Sequence, residues 1–267
     1  MLKDITIGQY FPGDTLIHKL DPRTKLIVTF LYIVALFMAE GPVSYGFAVL
    51  WLVAATAISK VRLRLMLKGL KPLLFIIIFT AVLNALYTPG RILFTFYFLN
   101  VTYEGLVLAF FMVLRIILLI TGTSLLTYTT SPIMLTDGIE TLLNPLKRLK
   151  VPVHELSMMM TIALRFIPTL IEETEKIMNA QKARGADFES GNLMRRAKSL
   201  VPILIPLFVS AFRRADELAV AMECRLYRGG EGRTRLKELR FVRADYAALM
   251  ISLLFLISVI APGRWIR

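Results

Sequence analysis

The sequence predicts an all-α, polytopic membrane protein with about five transmembrane helices and a cytoplasmic pair of long, kinked helices. Three observations lead to this fold class. First, 56% of the 267 residues are hydrophobic, whereas soluble domains contain about 45–50%. Second, the mean hydropathy is +0.65, and the apolar residues fall into runs of spanning length. Third, the formal net charge of +13 lies in particular loops, which is typical of the cytoplasmic side of membrane proteins.

The first two spans follow a polar, turn-rich stretch, residues 1–23. Its start lacks an apolar core followed by a small-residue cleavage site, so it is not a signal peptide. Asp21 can cap a helix that begins at Pro22, and Arg23 and Lys25 are expected to extend to the lipid headgroups. The segment fits an ordinary interfacial helix start or a partner-binding role. We expect span one over Thr24–Ala39 and span two over Val43–Ser59.

The next loop is strongly basic and contains no acidic residue, so the positive-inside rule predicts that it is cytoplasmic. Its positive residues are Lys60, Arg62, Arg64, Lys68 and Lys71. Span three is expected from Pro72 to about Tyr87. The aromatic segment Thr88–Glu104 is predicted to lie at headgroup depth on the outer side, and span four follows over Gly105–Thr129.

Span three contains one amide, Asn84, and Arg115 lies near the middle of span four. A charge at that depth is costly and marks a candidate functional group. The alternative is a structural arginine that donates hydrogen bonds to backbone carbonyls or to polar neighbours such as Asn84. The structural interpretation is the favoured one.

The chain becomes polar after span four, and this change divides the sequence into three predicted segments. Residues 1–129 would hold the N-terminal segment and four spans, residues 130–244 a cytoplasmic helical region, and residues 245–267 the last span, over Tyr246–Pro262. Five spans place the N-terminus in the cytoplasm. Two apolar runs in the polar region, Leu156–Ile171 and Leu200–Phe212, are interrupted or bracketed by arginines. We interpret them as helices at the membrane surface or packed on other helices, kinked at prolines; seven spans are the alternative.

Two helical arms are predicted in this region, and each ends in an arginine set among small or apolar residues. In the first, Gln181 and Arg184 share a helical face, and Gly185 suits the left-handed position that ends a helix. Ala183 and Gly185 leave the Arg184 guanidinium unshielded, so it can hold a carboxylate on another protein. The second arm ends in a basic, glycine-terminated segment that contains Glu223, Cys224, Arg225, Leu226, Arg228, Gly229 and Gly230. The alternative is that both are solvated helix ends with ordinary glycine caps.

Several classes of function are disfavoured. No Gly-x-x-x-x-Gly-Lys-Ser/Thr segment is present, so the chain lacks that means of binding nucleotide phosphates. The single cysteine excludes an internal disulfide and a cysteine-built metal site, and a count of two histidines argues against a histidine-rich metal site. The basic charge follows the membrane loops, so no nucleic-acid partner is expected. The spans carry no paired acids, which argues against a membrane-embedded enzyme.

These residues together resemble the transmembrane coupling subunit, or T component (EcfT family), of energy-coupling factor transporters, which are ABC-type importers of vitamins and trace metals. The resemblance covers nearly the whole chain. It rests on Gly8–Gly13, His18-Lys-Leu-Asp-Pro-Arg23, Thr130–Gly138, Ala163-Leu-Arg-Phe-Ile-Pro168, Ala180-Gln-Lys-Ala-Arg-Gly185 and Ala221-Met-Glu-Cys-Arg225.

The resemblance implies partners and roles. Two cytoplasmic coupling helices would each dock a short Ala-Arg-Gly-type motif on one of two ABC-type ATPase subunits, either A and A′ or a homodimer. The motif is matched fully by Ala183-Arg184-Gly185, and Cys224-Arg225-Leu226 keeps only the arginine. A separate membrane subunit, the S component, would capture the substrate. This chain would bind no cofactor, ATP would be used by the partners, and the complex would lie in the cell membrane.

The leading hypothesis is therefore a non-catalytic coupling subunit. The alternative is a self-contained secondary transporter, a class that usually carries acids or histidines near the middle of its spans. The predicted spans offer only Arg115 and Asn84. The sequence leaves open which vitamin or metal is carried, how many S components are served, and the stoichiometry of the complex.

Overall fold

The computed structural model describes residues 10–96, 99–188, 192–229 and 239–265. In these ranges the chain forms ten α-helices and one two-stranded sheet. It divides into two compact units, Gly8–Gly138 with Glu238–Arg267, and Ile139–Lys237. We call the first the membrane unit and the second the arm unit. The fold class is therefore all-α, as predicted, with one small hairpin in addition.

The membrane unit contains most of the apolar helices. In chain order they are α1 (Leu16–Lys19), α2 (Pro22–Met38), α3 (Gly41–Ser59), α4 (Leu63–Leu70), a 3₁₀ turn (Lys71–Leu73), α5 (Leu74–Tyr87) and α6 (Tyr103–Thr129), and, near the C-terminus, α10 (Arg243–Trp265). Helix α7 (Pro132–Leu143) leads from α6 towards the arm unit.

Four helices of the described ranges are long and apolar enough to cross a membrane: Gly41–Ser59, Arg64–Tyr87, Tyr103–Thr129 and Arg243–Ala261. They correspond to predicted spans two to five. Predicted span one is α2, whose 17 residues lie at the lower limit of the length that a spanning helix needs. It packs against α6 and α10, but the count of five spans stays a prediction.

The core of the membrane unit lies where α2, α3, α6 and α10 meet. Its buried residues are Tyr32, Ala35, Leu36, Ala39, Tyr45, Ala48, Leu52, Leu118, Phe255 and Val259. Small residues allow close approach of these helices: Gly122 of α6 faces the Tyr32 ring so closely that a Cβ would collide with it. Several buried hydroxyls donate to carbonyls, as in the 2.7 Å bond from Ser44 to the Val259 oxygen, whereas the buried hydroxyls of Thr24 and Thr130 have no partner among the described residues.

A charged cluster fixes the start of α2. Asp21 caps the helix as predicted, accepting from the Arg23 amide at 2.9 Å, and its carboxylate also pairs with the Arg23 guanidinium at 2.8 Å. Asp245 of α10 accepts from the Asp21 amide at 2.9 Å. Lys25 is buried and donates to the carbonyls of His18 and Thr129. The prediction that Arg23 and Lys25 extend to the headgroups is therefore wrong.

The predicted interfacial segment Thr88–Glu104 contains an unpredicted β-hairpin. Strand β1 (Ile92–Phe96) pairs antiparallel with β2 (Leu99–Thr102). Thr102 then caps α6 by accepting from the Gly105 amide at 3.1 Å. Strand pairing satisfies backbone N–H and C=O groups of this short connection.

The arm unit consists mainly of two long helices, α8 (Val153–Ala183) and α9 (Leu193–Cys224), which follow a 3₁₀ turn (Asn144–Leu149). Glu173 of α8 accepts from Ser210 and, at 3.1 Å, from Arg214 of α9. The Gln181 amide lies 3.5 Å from the Pro202 carbonyl. Since residue numbers rise along α8 where they fall along α9, the helices are antiparallel.

Both apolar runs of the polar region belong to these helices. Leu156–Ile171 lies within α8 and Leu200–Phe212 within α9, and the helices continue through Pro168, Pro202 and Pro206. The prediction of helical structure is thus confirmed. Neither α8 nor α9 is among the four helices suited to span a membrane, so the seven-span alternative gains no support.

Candidate functional site

The first predicted site lies where α8 ends, and its backbone forms a Schellman motif. Arg184 is the C-cap residue, and Gly185 adopts the left-handed conformation with φ +86°. The Gly185 amide donates to the Lys182 carbonyl at 2.9 Å, and the Ala186 amide donates to the Gln181 carbonyl at 3.0 Å. These two bonds satisfy carbonyls that the helix end would otherwise leave free. We call Ala183-Arg184-Gly185 the first tip.

The second site has the same backbone with different side chains. Arg225 is the C-cap residue of α9, and Leu226 is left-handed with φ +54°. The Leu226 amide donates to the Glu223 carbonyl at 2.8 Å, and the Tyr227 amide donates to the Met222 carbonyl at 3.0 Å. We call Cys224-Arg225-Leu226 the second tip. The two tips are therefore equivalent residue by residue.

The prediction that glycine terminates the second arm is wrong. The left-handed residue is Leu226, and Gly229, although also left-handed with φ +87°, follows three positions later; Gly230 lies outside the described residues. A left-handed conformation costs a residue with a Cβ roughly 1–2 kcal/mol. The same motif is thus formed at the second tip against a local cost that Gly185 avoids at the first.

Both tip arginines are exposed. Within the described ranges, neither the Arg184 nor the Arg225 side chain forms a hydrogen bond or ion pair with another residue. Each cation lies at the negative end of a helix dipole, where positive charge is favoured. A guanidinium in this situation has all its donors available, so it can bind a carboxylate on another molecule through two parallel bonds.

The two tips lie at opposite ends of the antiparallel helix pair. The first tip is near the level of Pro202, because Gln181, three residues before Arg184, contacts the Pro202 carbonyl. The rise along α9 from Pro202 to Arg225 is about 35 Å at 1.5 Å per residue. The arms therefore present two similar cationic tips far enough apart to meet two separate protein surfaces.

A side-chain network joins the second tip to the start of α8. The Tyr227 hydroxyl lies 3.3 Å from Nε2 of His154, and Nδ1 of that ring lies 3.2 Å from a Glu140 carboxylate oxygen. Because a carboxylate only accepts, Nδ1 donates to Glu140. Ser157 donates to the other Glu140 oxygen at 2.7 Å. Sequence reasoning missed this network, since no spacing rule links these residues.

The other predicted supporting residues have simpler surroundings. Glu223 and Arg228 flank the second tip and are exposed, and Gln181 is half-buried. Cys224 is an exposed free thiol. In the parts of the chain that the structure describes, no group of three or more His, Cys, Asp or Glu side chains is arranged to hold a metal ion.

The intramembrane arginine has structural partners, but not the expected side chain. Nε of Arg115 donates to the Tyr45 hydroxyl at 2.8 Å, and its guanidinium donates to the Ala39 carbonyl at 3.1 Å. A backbone carbonyl and a polar neighbour are the kinds of partner that the structural interpretation expects. Asn84, the neighbour named as an example, instead donates within its own helix, to the Thr80 carbonyl at 2.8 Å. Arg115 therefore joins α6 to the end of α2 and the first part of α3.

One face of α9 is apolar and exposed. Its large side chains recur at helical spacing and are Leu200, Val201, Leu204, Ile205, Phe208, Val209 and Phe212. On α8, Leu156, Met159 and Met160 are also exposed. A continuous apolar surface of this kind marks a contact with another protein or with lipid.

Comparison with known proteins identifies the family. The chain matches the family CbiQ, described as cobalt transport protein, over residues 13–236. It is 57% identical to an energy-coupling factor transporter transmembrane protein EcfT of Thermosediminibacter oceani, covering 99% of this chain and 100% of the relative. Identity is 50% with the EcfT protein of Bacillus subtilis, covering 97% and 98%. With the EcfT protein of Lactococcus lactis it is 46%, covering 96% of each.

Proposed function

Because the chain belongs to the energy-coupling factor transporter transmembrane proteins (EcfT) of the cobalt transport protein family, we propose that it is the coupling subunit of such a transporter. It would transmit ATP-driven motion of two ATPase subunits to a substrate-binding membrane subunit, and so support uptake of a vitamin or other micronutrient. The observation that carries this proposal is the pair of equivalent arginine tips at opposite ends of one helix pair.

Each tip would dock on one ATPase. Arg184 and Arg225 are the C-cap residues of the two helices, and their guanidinium groups donate to no other described residue. The tips are separated by about 35 Å. Two ATPases that close on ATP would move the two ends of the arms towards or away from each other. The Glu173 contacts with Ser210 and Arg214, near the middle of the helix pair, would serve as the common pivot of the arms.

The exposed apolar face of α9 would contact the substrate-binding subunit. That partner is itself a membrane protein in this proposal, and an apolar surface suits a contact that must form and break without desolvating charges. Motion of the arms would move this face and thereby reorient or release the partner.

The chain itself would be non-catalytic. It would bind no cofactor, and ATP would be hydrolysed by the partner subunits. The protein would lie in the cell membrane, with its N-terminus and its arms in the cytoplasm, where the basic residues of the Lys60–Lys71 loop also lie according to the positive-inside rule.

Charge reversal at both tips tests the docking. The double variant Arg184→Glu, Arg225→Glu should lose the ATPases when the complex is purified through a tag on an ATPase, because replacing one anchor residue of an interface commonly costs about 2 kcal/mol or more. The matched control is Arg213→Glu, an exposed arginine on α9 away from both tips. Assembly and uptake at wild-type levels in the double variant would refute the proposal.

A further inference from the structure

The membrane unit contains an apolar groove that the coupling function does not use. Its volume is about 700 Å³. Helices α1, α2, α3, α6 and α10 all contribute to its wall, and the groove runs along α10 from Ala244 to Ser258. All of these elements belong to one compact unit.

The groove is formed by small residues between larger ones. Ala54 of α3 and Ala244, Ala247 and Ala248 of α10 line it and create the depression, because a methyl group leaves space that a larger side chain would fill. Its rims include large apolar residues that are themselves exposed on the helix surfaces: Phe47, Leu50, Ile58, Ile251 and Leu254. The groove is therefore open to the side, towards the surroundings of the helices.

The length of the groove matches one membrane leaflet. From Ala244 to Ser258, α10 rises about 21 Å at 1.5 Å per residue. A bilayer is about 40–45 Å thick with its headgroups, so one leaflet measures about 20–22 Å. A ligand that fills the groove from end to end would extend through one leaflet and stop near the middle of the bilayer.

The lining of the groove suits a hydrocarbon chain. Its side chains along α3 and α10 are almost all apolar, among them Trp51, Ile251 and Phe255. An acyl chain lying along α10 would therefore meet an apolar surface over its whole length.

One end of the groove is basic. Lys19, at the end of α1, is adjacent in sequence to the lining residue Leu20, and Arg243, at the start of α10, is adjacent to the lining residue Ala244. Both cations are exposed, and in the described ranges neither side chain has a hydrogen-bonding or ionic partner. The two carboxylates next to the same lining residues, Asp21 and Asp245, are buried and already accept hydrogen bonds from Arg23 and from backbone amides. An anionic group at this end would therefore meet the two exposed positive charges of Lys19 and Arg243.

We propose that this groove binds an anionic phospholipid, with one acyl chain along α10 and the phosphate near Lys19 and Arg243. The charge, the length of one leaflet and the apolar lining point to the same ligand. Each acyl CH₂ removed from water contributes about 0.8 kcal/mol, but in a bilayer the chain is already in an apolar environment. Selectivity for an anionic phospholipid over other lipids would therefore come from its headgroup. The time that the lipid stays bound would depend on how well its acyl chain fits the groove.

Filling the groove provides the test. The variant Ala54→Phe places a ring among the lining residues, whereas Ala57→Phe adds the same ring on the same helix at an exposed position outside the lining. The full chain would be purified in detergent, supplied with equal amounts of phosphatidylglycerol and phosphatidylcholine, and examined by native mass spectrometry. Melting temperatures within a few degrees of wild type would show that both variants fold.

We expect wild type and Ala57→Phe to retain phosphatidylglycerol preferentially, and Ala54→Phe to retain at least five-fold less. The double variant Lys19→Glu, Arg243→Glu should lose the preference for phosphatidylglycerol over phosphatidylcholine. Equal retention by Ala54→Phe and wild type, or adducts of detergent alone, would overturn the proposal.

A photo-crosslinking residue identifies the occupant in the membrane. With benzoylphenylalanine in place of Leu50, which lines the groove, ultraviolet light should yield a lipid adduct in cell membranes. A protein adduct instead would show that a partner subunit covers the groove and would exclude the lipid.

Discussion

The Tyr227 hydroxyl and Nε2 of His154 form a hydrogen bond of 3.3 Å, and this contact joins the last residue of the second tip's backbone motif to the first turn of α8. Tyr227 is also the residue whose amide closes that motif on the Met222 carbonyl. The orientation of Arg225, two residues earlier, is therefore set by the end of its own helix and by the helix that runs antiparallel to it.

Removing this hydroxyl should loosen the second tip without unfolding the arms. In Tyr227→Phe the aromatic ring remains and the hydrogen bond to His154, worth about 1 kcal/mol, is lost. We expect amide hydrogen exchange over residues 222–229 to become several-fold faster, as measured by mass spectrometry, while the first tip is unchanged. Tyr87→Phe, at an exposed tyrosine of α5, is the matched control. Unchanged exchange at the second tip would show that the contact does not hold it.

Exchanging the left-handed residues of the tips should have opposite effects. Gly185→Leu forces a side chain into a conformation that costs roughly 1–2 kcal/mol. Space is not the reason, because a Cβ at this position would meet nothing within 4 Å. We expect the end of α8 to fray and trypsin to cleave faster after Arg184.

Leu226→Gly removes the same cost from the second tip and should slow cleavage after Arg225. It also removes a side chain that is 76% exposed. If that leucine contacts the ATPase, binding will weaken although the tip is more stable. Trypsin cleavage then reports the backbone conformation of the tip, and ATPase binding reports the contact made by the Leu226 side chain. Faster cleavage after Arg225 in Leu226→Gly would contradict the argument from backbone conformation.

The sequence is sufficient to locate both tips but not to describe the second. An arginine between small residues and a following glycine predicts the end of α8, because glycine favours the left-handed conformation. The end of α9 depends on Leu226, a residue type that disfavours this conformation, so local preference points to the later glycines instead. Tertiary contacts decide the outcome, among them the bond from Tyr227 to His154, which lie 73 residues apart.

The same limit applies in the membrane unit. Hydrophobic runs predict the positions of the long helices because burial of each run depends only on its own composition. The partners of a polar residue depend on which helices become neighbours, and this is not encoded locally. Lys25 therefore donates to carbonyls from two other segments instead of reaching the headgroups, and Arg115 finds Tyr45 instead of Asn84.

The carboxylate of Asp21 should make the stability of the membrane unit depend on pH. Burial acts to raise the pKa of Asp21, but the hydrogen bonds from Arg23 and the nearby positive charges outweigh it, so the pKa lies below its ordinary value. A lowered pKa stabilises the folded state above the unfolded value of about 3.9. This contribution is lost as the pH falls through the folded pKa.

The variant Asp21→Asn keeps a capping side chain and removes the charge. Its melting temperature should lie below that of wild type at pH 6, and the difference should shrink as the pH falls below about 4. Thermal unfolding in detergent across this range provides the measurement. Asp14→Asn, at an exposed position, is the control and should follow wild type. A difference that stays constant with pH would mean that the charge of Asp21 is not responsible.

Loss of the intramembrane arginine should cost stability before it costs coupling. Arg115→Met preserves a long apolar side chain but leaves the Tyr45 hydroxyl and the Ala39 carbonyl without this donor. A buried group that loses its partner costs about 1–3 kcal/mol, so we expect a clear drop in melting temperature. Tyr45→Phe removes only one of the two bonds and should cost less. Since both variants break the same bond, the double variant should lose less than the sum of the two single losses.

Transport per folded molecule should remain near wild type, because the contacts of Arg115 join α6 to the end of α2 and the first part of α3 and involve no group at either tip. Fully additive losses would show that Arg115 and Tyr45 act independently, and transport that fails in a stably folded Arg115→Met would assign Arg115 a direct role in coupling.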